Sequence, residues 1–182
     1  MFSLRFTRVV LILKSLVAIM LIPFFVNVLV DQVFIDKFAE RIGQYSYVHR
    51  LYILQSASVK IRQHWLLGYG LDSSRVVGDE QKVWSFVAPD GLERFIHSKE
   101  IPLHPHNAPI QWWLELGGIG SLIIGALYFS FLKGIRPKRC WQQASKVGFY
   151  VSTQVIGWTS LGTWQGWWLS LLILVGTVIV SN

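Results

Sequence analysis

Apolar residues are concentrated in four runs, and one long polar segment separates the first run from the other three. The first run, at about 9–30, carries a single charge at Lys14, and the second covers about 107–132. Both runs are long enough to cross a bilayer, because about 20 helical residues span its hydrocarbon core. We therefore predict a transmembrane helix within 1–30 and another that begins at 107.

A cleaved signal peptide is the alternative interpretation of the first run. Its apolar core would be shorter and would end in a small-x-small cleavage motif, which Phe-Val-Asn-Val at 25–28 does not provide. The run therefore favours a retained helix, in which Pro23 introduces a kink.

Two shorter apolar runs follow, at 147–161 and 167–180, with a Gly- and Trp-containing turn between them. We predict a hairpin that crosses the membrane twice, and the alternative is an interrupted helix pair that lies partly in the interface. The predicted fold is thus all-α, a polytopic transmembrane helical protein with about four spans. Residues 107–182 would form a membrane domain of about three further helices.

The polar segment at 31–106 lacks any run that could span a membrane, so we predict one large, partly helical loop outside the bilayer. Its apolar side chains recur at helical spacing between about 45 and 66, which predicts an amphipathic helix that ends at Gly68-Tyr69-Gly70. The pattern rests on Tyr47, Leu51, Leu54, Ile61 and Trp65. From 71 to 103 the period is lost, and we assign little regular structure there beyond a turn at Pro89-Asp90-Gly91.

The composition, 52% hydrophobic and 15% charged, is typical of a membrane protein, and the charges indicate its orientation. Nine basic and nine acidic residues balance within 31–106, whereas the basic residues before the first run and those at 133–146 have no acidic neighbours. This asymmetry follows the positive-inside rule and places 31–106 in the periplasm and both termini in the cytoplasm. The net charge of +7 therefore reports topology, and no nucleic acid is implied.

Two histidines, His104 and His106, lie where the polar loop enters the second span. Imidazole titrates near neutral pH, so either ring is a candidate base for a hydroxyl proton near the membrane surface. Helix capping or solvent exposure is the alternative. A metal site formed with His97 is a further alternative, although the spacing matches no known zinc pattern.

Polar residues also follow one face of the second span, because Asn107, Gln111 and Glu115 are spaced four apart. Glu115 would lie about 12 Å below the helix start at about 1.5 Å per residue. A carboxylate at that depth is costly unless it is shielded, so we predict that Glu115 lies inside the bundle and pairs with a basic side chain. A helix lock and a direct functional role remain alternatives.

Arg50 is a candidate for anion binding, because the planar guanidinium fork matches two phosphate oxygens at once. Most arginines in a polar loop are solvated, and composition does not separate this one from Arg62, Arg75 or Arg94.

These features together resemble the O-antigen ligase and O-antigen polymerase family. The resemblance runs from about 45 to 120 and includes Arg50, the helical stretch after it, His-Trp-Leu-Leu-Gly-Tyr-Gly at 64–70, and His-Pro-His-Asn at 104–107. It continues through Gln111 into Glu-Leu-Gly-Gly-Ile-Gly at 115–120. The sequence departs from the family pattern at Trp65, where the family often has proline after histidine.

The resemblance implies a bacterial inner-membrane glycosyltransferase that moves a glycan from undecaprenyl diphosphate to an acceptor hydroxyl without metal or cofactor. The acceptor would be lipid A-core in a ligase or a growing glycan in a polymerase, and a protein Ser or Thr shares the same motif. By this resemblance Arg50 would bind the diphosphate, and His106 or His104 would activate the acceptor, with His106 favoured because it precedes Asn107. Asn107, Gln111 and Glu115 would support them.

Family members usually have about a dozen spans, so the chain resembles the C-terminal part of such an enzyme. The alternative function is a non-catalytic membrane partner that binds a lipid-linked glycan or another protein.

Overall fold

The computed structural model of the protein describes residues 21, 25, 26, 28–134, 140–159 and 162–181. Most of the predicted first transmembrane helix, at 1–30, lies outside the described residues, and so does the centre of the basic segment at 133–146. The described elements are α1 (Gln32–Ile42), α2 (Tyr45–Gln63), α3 (Ser74–Val77), β1 (Gln81–Val87), β2 (Glu93–Lys99), α4 (Ala108–Gly134), α5 (Cys140–Thr159) and α6 (Gly166–Ser181).

The chain is mostly helical, as predicted, but the all-α prediction is wrong within the polar loop. Strands β1 and β2 form an antiparallel hairpin in the region assigned little regular structure. In β1 both faces carry apolar side chains, with Trp84 and Phe86 inward and Val83 and Val87 outward, so the alternation that marks a strand is absent from the sequence. The predicted turn at 89–91 is confirmed as the connection between the strands.

The hairpin packs with α1 and the first half of α2 around one small core. That core contains Ile35, Ala39, Val48, Tyr52, Phe86 and Ile96. The Asp31 side chain caps α1 by accepting from the Phe34 N–H at 2.7 Å, and Tyr52 donates its hydroxyl to the Ser85 carbonyl at 3.0 Å. Apolar burial therefore builds a folded unit in the polar loop.

The predicted amphipathic helix corresponds to α2, which starts at Tyr45 as expected and ends at Gln63. Its buried face differs from the predicted one, because Tyr47 and Trp65 are exposed. The buried residues are Val48, Tyr52, Ile53, Ala57, Ser58 and Ile61. Apolar residues occur on both sides of α2, so spacing alone could not decide which side is covered.

The second half of α2 packs along the first turns of α4 and forms a second core. Its members include Ile53, Ala57, Ile61, Ile110, Trp113 and Leu114. Asn107 is the N-cap of α4, since its Oδ1 accepts from the Ile110 N–H at 3.1 Å. The second half of α2, within the polar loop, is therefore packed against α4.

Three helices, α4, α5 and α6, occupy the described part of 107–182. The end of α5 returns to the start of α4, where the Asn107 amide donates to the Trp158 carbonyl at 3.1 Å. Among the described helices, α4 alone is long and apolar enough to cross a membrane, over Ala108–Leu127, and the apolar part of α6, Gly166–Val178, is shorter. The four-span topology stays a prediction.

Candidate functional site

Glu115 lies at the centre of a buried polar cluster and its side chain is fully shielded. Its carboxylate accepts four hydrogen bonds. The donors are the Asp72 N–H (2.9 Å), the Ser74 hydroxyl (2.5 Å), the Gln111 amide (2.9 Å) and the Trp164 indole N–H. These donors come from the start of α3 and the residue Asp72 before it, from α4 itself and from the α5–α6 turn, so one carboxylate joins three segments.

The prediction that Glu115 is shielded is confirmed, whereas the predicted basic partner is wrong. All four donors are neutral, and none of the ion pairs among the described residues involves Glu115. A carboxylate offers about four acceptor positions, so four aligned donors satisfy it without a cation. Gln111 extends the cluster by accepting from the Thr163 N–H at 2.8 Å.

The two glycine-containing motifs of the sequence interlock beside Glu115. Helix α4 is broken at Gly117, where φ is 63° and ψ is −166°, and the loop after α2 replaces the lost helical hydrogen bonds. Four backbone bonds make the exchange: Gly118 N–H to Trp65 O (2.7 Å), Ile119 N–H to Leu66 O (3.2 Å), Tyr69 N–H to Leu114 O (3.0 Å) and Gly70 N–H to Glu115 O (2.8 Å). Backbone groups on both sides of the break are therefore hydrogen-bonded to the loop after α2.

Gly68 and Gly117 permit this close approach of two backbones. A Cβ on Gly68 would lie 2.5 Å from the Glu115 carbonyl carbon, and a Cβ on Gly117 would lie 2.4 Å from the Leu66 oxygen. Both residues also have positive φ, which glycine adopts without strain. The tertiary contact thus explains why each motif carries glycine at these positions.

The structure brings His104 and His106 together just before α4. Their ring centroids are 4.4 Å apart, and the His104 Nδ1 accepts from the His106 backbone N–H at 3.2 Å. Burial, followed by electrostatic interaction with His106 and Arg75, lowers the pKa of His104 to about 4. His104 is therefore neutral at ordinary pH.

The backbone holds this pair in a defined place. His106 has a φ of 55°, a conformation that non-glycine residues rarely adopt and that occurs often at functional sites. The His104 ring packs on Gly162 in the α5–α6 turn, where a Cβ would lie 2.8 Å from its Cδ2 atom. Asn107, the residue after His106, is itself held in place, because its side chain caps α4 and donates to the Trp158 carbonyl.

A third histidine, His49 on α2, interacts electrostatically with His106, and sequence reasoning missed it; its ring contacts those of Tyr45 and Trp84. Burial and, to a lesser extent, the interaction with His106 lower the pKa of His49. Its Nε2 is buried and has no hydrogen-bond partner among the described residues. Arg50 follows directly on α2 and is half-buried. Adjacency to Arg50 was the one signal that could have singled out His49.

Arg75 is the second residue that sequence reasoning did not distinguish. Its charge acts on His104, and its Nε lies 3.1 Å from the Asp72 carboxylate. Asp72 is, with His106, one of two non-glycine residues of positive φ in the described part of the chain. Because Glu115 binds the Asp72 N–H and the Ser74 hydroxyl, it anchors the segment that presents Arg75.

No group of three or more His, Cys, Asp or Glu side chains within the described residues has an arrangement that could hold a metal ion. His97 lies on β2 opposite Val83, on the exposed face of the hairpin.

Residues 1–125 match the sequence model of the family described as O-antigen ligase. The chain belongs to the O-antigen ligase family. This match includes the whole stretch from 45 to 120 on which the resemblance rested, and it confirms that resemblance. The family is membrane-associated, which agrees with the apolar α4.

Curated relatives of this O-antigen ligase family chain come from Rickettsia and carry the name "Putative polysaccharide ligase". The Rickettsia conorii protein is 35% identical over 130 residues and the Rickettsia felis protein is 33% identical over 132 residues, in each case 70% of this chain. The Rickettsia bellii protein is 32% identical over 133 residues. The aligned part is 30% of the length of the first two relatives. No solved structure matches the chain.

Proposed function

We propose that this chain carries the acceptor-activating part of a membrane glycosyltransferase that moves a glycan from undecaprenyl diphosphate to a hydroxyl group. Membership of the O-antigen ligase family supports a role in polysaccharide transfer. The observation that carries the finer proposal is the contact between His104 and His106 beside the start of α4.

His106 is the proposed base and His104 the proposed positioning residue. The His104 imidazole is neutral, and its Nδ1 is engaged by the His106 N–H, which fixes the turn that presents His106. In the transfer step the acceptor O–H proton moves to the His106 imidazole as the oxygen bonds to the anomeric carbon. The bond from that carbon to the phosphate oxygen breaks, and the electron pair leaves with undecaprenyl diphosphate.

Arg50 and Arg75 are the proposed contacts of the diphosphate. A leaving diphosphate gains negative charge as the glycosidic bond breaks, so fixed cations stabilise it in the transition state as well as in the bound state. Arg50 follows His49 on α2, and Arg75, on α3, interacts electrostatically with His104. No metal or other cofactor is part of this proposal.

The proposed location is the inner membrane, with 31–106 in the periplasm and both termini in the cytoplasm. The balanced charge of the loop and the basic segment at 133–146 support this orientation. It places the histidines on the side where undecaprenyl diphosphate-linked glycans would meet lipid A-core, a growing glycan or a protein hydroxyl.

His106→Ala separates the proposed base from a structural histidine. In the complete, active protein we expect transfer to fall by about 10²–10⁴-fold while donor binding is retained, because a positioned base contributes that much to the rate. Transfer is measured in lipid vesicles with an undecaprenyl diphosphate donor and each class of acceptor. Arg50→Ala should instead weaken donor binding. Full turnover by a folded His106→Ala protein, with loss in His104→Ala, would move the base to His104.

A non-catalytic membrane partner that binds a lipid-linked glycan or another protein is the alternative function. The same vesicles distinguish the two. Donor binding without turnover, with every acceptor class present, would support the partner, and turnover would exclude it.

A further inference from the structure

We infer that the loop tip formed by Trp65, Leu66 and Leu67 is a re-entrant membrane element that sits in the hydrocarbon of the outer leaflet. This assignment changes the boundary of the polar loop, because it moves part of 31–106 into the bilayer. It rests on the proposed topology, in which α4 crosses the membrane towards the cytoplasm.

The tip exposes three large apolar side chains in succession. Trp65, Leu66 and Leu67 are 54%, 45% and 70% exposed. Consecutive exposed apolar residues are unfavourable in water and mark contact with an apolar medium or partner. The tip is also fixed in place, because the Trp65 and Leu66 carbonyls accept from the Gly118 and Ile119 N–H groups.

The depth of the tip follows from its attachment to α4. Ile119 precedes Lys133, the first residue of the basic segment assigned to the cytoplasmic side, by 14 residues. At about 1.5 Å per residue this is about 21 Å, whereas the hydrocarbon core is about 30 Å thick. The bonds between Ile119 and Leu66 therefore lie roughly 9 Å below the outer hydrocarbon boundary.

At about the depth of the tip, the side chains of α4 change from buried to exposed. From Ile110 to Glu115 every side chain is buried by α2 and the α5–α6 turn, whereas exposed apolar residues begin at Ile119. Leu122 and Ile123 continue that exposed surface along α4. The tip thus adjoins the part of α4 that faces lipid in the proposed topology, and the two form one apolar surface.

The hydrogen bonds at the helix break make this placement chemically acceptable. A break in a membrane helix frees backbone groups, and each unsatisfied group in hydrocarbon costs several kcal/mol. Around Gly117 the loop satisfies two N–H groups and two carbonyls of α4. Arg62 precedes the tip by about one turn, within reach of the interface for a long side chain.

Site-directed spin labelling tests the depth of the tip. The label is placed by Leu67→Cys, Leu122→Cys or Val83→Cys in protein whose one cysteine is removed by Cys140→Ser, reconstituted in phosphatidylethanolamine and phosphatidylglycerol vesicles. Collisions with oxygen report lipid and collisions with a nickel chelate report water. Leu122 at 58% exposed is the membrane control, and Val83 at 61% exposed is the aqueous control on the hairpin.

We expect the oxygen-to-nickel ratio at position 67 to match that at 122 and to exceed that at 83 several-fold. A ratio at 67 equal to that at 83, with 122 in lipid, would overturn the re-entrant tip and leave the topology intact. Shielding of 67 from both reagents would overturn it in favour of a protein neighbour. An aqueous signal at 122 would reject the membrane topology itself, and the inference with it.

Discussion

A buried carboxylate that accepts four hydrogen bonds from neutral groups is sensitive to the exchange of one oxygen. In Glu115→Gln the amide oxygen can keep the Asp72 and Trp164 donors, and its NH₂ group then faces the Gln111 NH₂, whose orientation is fixed by the bond from the Thr163 N–H. We expect the free energy of unfolding to fall by about 1–3 kcal/mol, the cost of a buried polar mismatch. Thermal unfolding in detergent measures the loss.

Glu93→Gln is the matched control for that substitution, since Glu93 is exposed on β2. It should change stability by less than about 0.5 kcal/mol. Equal melting temperatures for Glu115→Gln and Glu93→Gln would show that the four-bond cluster does not hold the three segments together.

Arg75 can be tested against an arginine with the same local pairing. Arg75 and Arg94 are each half-exposed and paired with a nearby aspartate, but Arg94 lies at the hairpin turn and Arg75 acts on His104. We expect Arg75→Ala to weaken binding of a lipid diphosphate by about three- to tenfold, since a half-exposed cation contributes roughly 1 kcal/mol. Arg94→Ala should leave the dissociation constant unchanged, and equal losses in both variants would argue against a role for Arg75.

The neutral state of His104 predicts a pH dependence of stability. Its pKa is about 4 in the folded protein against an ordinary value of 6.5, so the unfolded chain binds more protons between these values. The stabilisation is therefore present above pH 6.5 and is lost as the pH falls towards 4. We expect His104→Gln to reduce this dependence in thermal melts, whereas His97→Gln, on the exposed face of β2, should retain it.

At the scale of elements, the contact between the loop after α2 and the break in α4 depends on close backbone approach. Gly91→Ala introduces positive-φ strain alone, because nothing lies within 4 Å of its Cβ position, and should cost about 1–2 kcal/mol. Gly117→Ala adds a clash with the Leu66 carbonyl and should cost about 1–3 kcal/mol more. Gly68→Ala should resemble Gly117→Ala. Melting temperatures equal to that of Gly91→Ala would contradict the interlocked arrangement.

The same elements show which signals a sequence carries. Helix α2 and the cap at Asn107 were predicted, because spacing and capping act locally. The hairpin was missed, since β1 is apolar on both faces, and the break at Gly117 was missed because it exists through bonds to residues about 50 positions earlier. Local patterns cannot encode a partner that distant.

At the scale of the whole molecule, the charge distribution predicts the orientation in the membrane. A reporter fused at Lys138 should show that this position is cytoplasmic. A reporter inserted at Asp90, in the hairpin turn, should show that this position is periplasmic. Alkaline phosphatase and green fluorescent protein fusions measure the two locations. Periplasmic activity at Lys138 would reverse the proposed topology and place the histidines in the cytoplasm.

Hydropathy, capping and short motifs are properties of neighbouring positions, and they predicted the mostly helical fold, the family and the candidate residues at 104–115. The packed structure was needed to see that neutral donors satisfy Glu115, that Arg75 and His49 interact electrostatically with His104 and His106, and which side of α2 is buried. These features depend on contacts between segments far apart in the chain. A carboxylate within an apolar helix requires shielding, but the tertiary structure determines which groups shield it.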